Sequence, residues 1–404
     1  MPTTAAQAFP RRYDLDWLRI IAFGLLILYH SGMFYVTWDW HVKSVHSGPE
    51  AEWAMRLLNP WRLALLFFIS GAALRFAADK LGSSKLARER SVRLGLPILF
   101  GMAVVVAPQS WLQLVETGEF QGDFLAFWPH YLDFGSEFSI TTPTWNHLWY
   151  VVYLLVYTLI LAPFAGPVSR FMAGRGAKVT QFLFGGKWGP LVALTLPSAP
   201  FLLYRLTLDR HFPTTHDLVW DWSNHAHSLT ILMLGFLLAK DRAFWSAIQR
   251  ALPWGIGLVL VLGAALTFIW NDWNQITADQ EWIIWPARFA RIVYAWIMIA
   301  TLLGLGQRYL NRPSRALTYM TEAIFPWYIL HQTLIVMLGF WLTRQGLPVG
   351  MEALLVIGGT FIGCALLHEL VIRRVGFLRP VFGLKPFSRS PVSRKVIAAA
   401  TGGR

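Results

Sequence analysis

Residues 17–35 read WLRIIAFGLLILYHSGMFY, and their reading decides the fold. The stretch is apolar and about as long as the roughly 20 residues a helix needs to cross hydrocarbon. It nevertheless carries Arg19 near one end and His30 well inside. Charge inside a bilayer is costly, and ionisable groups there usually face a bundle interior and mark a pathway. Eleven positions separate the two residues, close to three full turns. That stacks them on one helix face about 16 Å apart. Asp16, one turn before Arg19, is placed to pair with it. The plainer alternative is that Arg19 snorkels to the interface and His30 is a hydrogen-bonded core histidine.

The rest of the 404-residue chain repeats the first part of that pattern. It is 55% hydrophobic and only 14% charged, with a mean hydropathy of +0.45. The expected class is all-α, a polytopic membrane protein of about ten helices: 16–36, 61–78, 94–115, 146–166, 188–206, 225–239, 252–270, 287–306, 318–341 and 350–372. The polar start MPTTAAQAFPRRYDLDW does not read as a cleavable signal. The one cysteine, Cys364, lies in an apolar helix, so neither a disulfide framework nor a cysteine metal site is expected. A membrane domain over 1–375 is followed by a basic tail, 376–404.

Ten spans place both termini and alternate loops on one side. That set of loops holds 25 lysines and arginines, and the opposite set holds 4. By the positive-inside rule the first set, with both termini, is cytoplasmic. The net charge of +13 is then a topology and lipid-headgroup signal, and nucleic acid is not an expected partner. The opposite loops take 14 of the 22 acidic residues and most of the tryptophans. An interfacial aromatic belt accounts for some of these. A platform for carbohydrate, whose C–H faces pack on rings and whose hydroxyls donate to carboxylates, accounts for the asymmetry. Both readings stand.

A second buried histidine singles out a site. FPWYILHQTLIV places His331 in the ninth span at nearly the depth of His30. Two histidines at matched depth on different helices point to one site. Around the outer mouth stand Trp145, His147 and Trp149 (TWNHLWY) and His225 (DWSNHAHS) as substrate-binding candidates, with Asp16 at the opposite end. No HxxxH or HExxH spacing occurs. His225 and His227 project about 200° apart on a helix, so no metal is expected. Before the third span, SKLARERSVRLGLP sets Arg90 and Arg93 one turn apart. They serve either as an anchor for anionic lipid or as a seat for phosphate oxygens.

These residues resemble the membrane acyltransferase 3 family. YDLDWLRIIAFGLLILYH with its R-x10-H spacing is similar to that family's first helix. LLFFISGAAL at 65–74, the RxxR of Arg90–Arg93, HLWYVVYLLVY at 147–157 and WYILHQ at 327–332 follow in the family's order. The likeness covers about residues 12–375, and the wording of 13–41 is similar to a glucan-biosynthesis branch. The stretch 147–157 lacks the acidic residue of many members, and no SGNH hydrolase domain follows. The resemblance implies an O-acyltransferase of the bacterial inner membrane, moving succinyl or acetyl from acyl-CoA to a periplasmic glucan or other glycan. It implies that Arg19, Arg90 and Arg93 seat the donor's phosphates. It implies that the pantetheine arm rises through an open passage, that His30 is the general base and that His331 orients the acceptor or the oxyanion. A free succinyl carboxylate needs a cation, for which Arg62, Arg75 and Arg288 are candidates. Membrane lipid, acyl-CoA and the glycan are the expected partners, with a homo-oligomer left open. A proton-coupled carrier would also use intramembrane Arg and His, but no inverted repeat or paired broken helices accompany them.

Overall fold

The computed structural model describes residues 11–135, 137–271, 276 and 279–387, and these are helical, with no strand among them. The helices are α1 (Tyr13–Tyr35), α2 (Glu52–Ala78), α3 (Ser83–Phe100), α4 (Ala107–Thr117), α5 (Phe124–Leu132), α6 (Trp149–Phe171), α7 (Ala177–Phe184) and α8 (Gly189–Thr195). They continue with α9 (Ala199–Thr207), α10 (Trp222–Leu238), α11 (Arg242–Asn271), α12 (Glu281–Leu305), α13 (Arg315–Leu342), α14 (Val349–Leu366) and α15 (Leu378–Val381). Among the described residues, eight helices or continuous helical runs are long and apolar enough to cross a membrane. Two consecutive segments of the ten expected are not among these eight. Over 188–206 a 3₁₀ turn, Leu196–Ser198, with Pro197 inside it, divides the chain into α8 and α9. Proline withholds the N–H that would continue the ladder. Over 225–239 the helix is α10, of 17 residues, about 25 Å at 1.5 Å per residue and at the short end of what crosses a membrane.

At the centre, α1 packs against α2 and α13, while α3 lies on α6 and α14 on the far side of α13. Asp14 and Asp16 sit in the first turn of α1, where the helix dipole favours negative charge. At its other end Lys43 donates to the carbonyls of Met33 (2.7 Å), Trp38 (2.9 Å) and Val36. One ammonium thus satisfies acceptors a helix end leaves open, and it curls residues 37–43 back over the bundle. The N-terminal end of α1 gathers the chain's other arginine-rich segments. The Tyr13 backbone N–H donates to Asn311 (3.1 Å), and Arg373 bridges Glu322 (3.2 Å) and Glu369 (3.0 Å). The chain past 375 is not a free tail as far as it is described: α15 follows, and Phe382 packs on Phe100 at 5.4 Å. Residues 388–404 lie outside the described residues.

The tightest joint is α2 against α10. A Cβ on Gly71 would overlap the carbonyl of Leu232, and one on Gly235 would overlap that of Phe68. Small residues facing one another let two backbones close to van der Waals contact, the main attraction between helices in lipid. Gly71→Leu is therefore expected to force the pair apart and to cost about 2 kcal/mol or more by overpacking. Thermal unfolding in detergent checks this against Gly24→Leu, where a Cβ meets nothing within 4 Å. Equal melting temperatures for the two variants would contradict it.

Candidate active site

Three segments bring histidine to one chamber. α1 carries His30, α13 carries His331, and His147 stands in the turn that starts α6. His30 Nδ1 lies 2.7 Å from His331 Nε2, with the ring planes 2° apart. His331 Nδ1 lies 2.6 Å from the Tyr328 carbonyl. A carbonyl only accepts, so this Nδ1 carries the proton, and the Nε2 of a neutral His331 is an acceptor. His30 Nδ1 must then donate, which leaves the lone pair on His30 Nε2. The tautomers follow from one backbone oxygen. His331 itself is fully buried, whereas His30 lines a cavity of about 500 Å³. The pair therefore presents a single basic nitrogen, backed by a buried relay.

The third expected histidine is spent. His147 Nε2 donates to the Ile329 carbonyl at 3.1 Å, and its Nδ1 lies 3.5 Å from Gln109 Nε2. Its ring stands edge-on to His331 at 5.1 Å and walls the pair. Trp145 and Trp149 line the chamber too. The Trp145 indole N–H donates to the His216 carbonyl (2.9 Å), and Trp149 stacks on the His216 ring at 4.3 Å. His225 does not line it. Tyr157 and the Leu218 carbonyl use both ring nitrogens, at 2.7 and 3.1 Å, and the ring lies flat on Tyr153.

His41 is a residue the sequence reading missed. The loop capped by Lys43 places it on the chamber wall, where it donates to Gln113 (2.6 Å) and accepts from Gln332 (2.9 Å). Gln332 also donates to Gln109 (3.0 Å), which donates to Thr333 (2.7 Å). The only hint in the sequence was the histidine in WDWH, close after a span, since a loop has no periodicity to read. Burial holds His41 below its ordinary value of 6.5, partly offset by the Gln113 bond. A histidine depressed on folding binds fewer protons folded than unfolded. Its contribution to stability is full above about 6.5 and is lost as pH falls below that. Thermal melts at pH 7.5 and 5.5 should therefore drop more steeply for the wild type than for His41→Gln, which takes up no proton. Parallel slopes would exclude this role.

Arg62 is the chamber's cation. It is buried on α2, with its guanidinium 3.2 Å from the Tyr29 ring centroid and its Nε without a hydrogen-bond partner. No carboxylate pairs with it among the described residues. The other two cations considered for an acyl carboxylate lie elsewhere. Arg75 pairs with Asp79 at the far end of α2, and Arg288 lines an adjoining cavity.

At the opposite end of α1, Arg19 pairs with Asp16 at 2.8 Å. It lies near enough to Arg90 and Arg93 for the three to repel. Neither Arg90 nor Arg93 forms an ion pair among the described residues. Asp16 thus belongs to this arginine cluster and not to the histidine chamber. The open passage expected between the two clusters is corrected. Phe23, between Arg19 and His30 on α1, packs on Tyr328 (5.1 Å) and Tyr150 (6.3 Å), and all three rings are buried. Aromatic side chains from α6 and α13 fill the space that helix spacing alone leaves open. No group of three or more potential metal ligands is found among the described residues.

The site is thus a hydrogen-bonded histidine pair and a buried arginine enclosed by a bundle of apolar helices. The chain belongs to the acyltransferase 3 family: the family's model, an acyltransferase domain, matches residues 12–369. Among curated relatives, glucans biosynthesis protein C of Escherichia coli (strain K12) is 23% identical over 93% of this chain and 95% of that one. The protein of the same name from Salmonella heidelberg (strain SL476) is 23% identical over 96% of this chain and 98% of its own. No solved structure matches.

Proposed function

We propose that the protein transfers a succinyl or acetyl group from cytoplasmic acyl-CoA to a hydroxyl of a periplasmic glucan or related glycan across the bacterial inner membrane. The observation that carries this reading is the His30–His331 pair, with its one free lone pair facing a cavity. The arginine cluster at the other end of α1 suits the nucleotide phosphates of the donor, since guanidinium forks match phosphate oxygens. The positive-inside bias assigns that end to the cytoplasm.

His30 Nε2 removes the proton of the acceptor hydroxyl while the oxygen attacks the thioester carbonyl carbon. The negative charge that forms on the carbonyl oxygen is met by Arg62, or Arg62 holds the far carboxylate when the acyl group is succinyl. Collapse of the tetrahedral species forms the ester and breaks the C–S bond. The proton held by His30 passes to the departing thiolate. His331 spreads the charge of the imidazolium through the 2.7 Å bond. Donor entry requires Phe23, Tyr150 and Tyr328 to swing aside. Closed again, those rings keep water from the thioester. Trp145 and Trp149 offer flat faces to the sugar.

Mass spectrometry of periplasmic glycans from cells with and without the protein tests this directly. An added succinyl or acetyl mass that depends on the protein is the expected result. Identical glycan profiles would remove the reading.

A further inference from the structure

A second cavity of about 490 Å³ adjoins the histidine chamber, and the two share Asn59, Leu63, Trp149 and His216 as walls. Its character is different. Arg205, Arg288 and Arg291 all line it, and the same three line a further cavity of about 380 Å³ beside it. Arg205 is matched by Asp209 at 3.1 Å, and that carboxylate is also bonded by His227 at 3.1 Å and by Ser223. Burial would raise Asp209, but these partners outweigh it and bring it down to about 2, so it is spoken for as a charged acceptor. Arg288 and Arg291 have no such partner. Neither forms a hydrogen bond or ion pair among the described residues, and Arg288 only leans towards Trp285 at 5.4 Å. Arg291, one turn after Arg288 on α12, is exposed and lines both cavities.

Two forked cations one turn apart, each repelled by Arg205 and neither bonded to a carboxylate, line this cavity, and an anion from outside would complete them. We infer that this cavity is an oxyanion subsite for an acidic acceptor, taking a phosphate or carboxylate carried on the glycan beside the sugar that reacts. The inference rests on the proposed function for the direction of the sugar chain. With the reacting hydroxyl at His30, the shared wall of Trp149 and His216 leads the neighbouring residue into the second cavity. Pro213 and Thr214 give this cavity a lining from the loop at the chamber end, which favours a water-borne ligand over a lipid headgroup.

Calorimetric titration of the detergent-purified full chain tests it, with glucose, glucose 6-phosphate and inorganic phosphate as probes. All arms use an Arg90→Gln/Arg93→Gln background, which removes the other cationic cluster. Glucose 6-phosphate should bind more tightly than glucose or phosphate and weaken with salt. Adding Arg288→Gln/Arg291→Gln should cut its affinity at least tenfold. If that variant fails to fold, Arg291→Lys, which keeps the charge and loses the fork, should weaken binding about threefold to tenfold at an unchanged melting temperature. Equal affinity with and without these changes overturns the inference. So does competition by phosphatidylglycerol in nanodiscs, which would make the occupant a lipid headgroup. Full acyl transfer by His30→Ala would remove the catalytic reading alone.

Discussion

His30→Ala lowers acyl transfer by about 10²–10⁴-fold, the range that loss of a positioned general base produces. The expectation is specific because of the tautomer. The Tyr328 carbonyl directs the protons of both rings, so the one unprotonated nitrogen that the pair leaves free belongs to His30. Of the other histidines around the pair, His147 has both ring nitrogens engaged, and so has His41, while His216 stacks on Trp149 at the wall shared with the next cavity and makes no contact with the pair. The loss should fall on kcat, because the proton leaves the hydroxyl in the transition state and the ground-state complex makes little use of the base. Transfer assayed on purified protein, with folding checked by its melting curve, decides the matter. Activity within tenfold of the wild type would sink the mechanism.

His331→Phe comes next in size, approaching the loss at His30. Phenylalanine fills the volume but leaves the Nδ1–H of His30 without an acceptor, so the tautomer is no longer enforced and the imidazolium loses its neighbour. His331→Gln separates positioning from packing. A glutamine oxygen can accept from His30 Nδ1, so part of kcat should return, with KM unchanged in all three proteins. A merely structural His331 would instead give two variants that differ in melting temperature and not in kcat. Since His331 is fully buried, melting curves accompany both.

The helical class, and the placing of His30 and His331 at one level, could be read from periodicity and span length, which are local properties of the chain. The shared face of Arg19 and His30 is likewise helix geometry. What could not be read is what lies between them. Phe23, Tyr150 and Tyr328 come from three helices, and their meeting depends on how those helices are rotated and packed. Hydropathy is also silent about continuity: Pro197 and its turn interrupt one expected span, and α10 stops after 17 residues. His41 escaped because Lys43, two residues on, folds its loop over the bundle by capping α1. His225 fitted the outer mouth by position alone, and side-chain bonds to Tyr157 and the Leu218 carbonyl turn it elsewhere.

The amino-acid sequence by itself determined that this chain is a helical membrane protein with ionisable residues at chosen depths, because length, apolarity and a 3.6-residue period act within each segment. Tertiary structure alone decided which of those residues meet. It set which histidine keeps its lone pair, which arginines go unpaired and which rings close the route between the two ends, because hydrogen bonds and packing across helices depend on relative rotation that no single segment encodes.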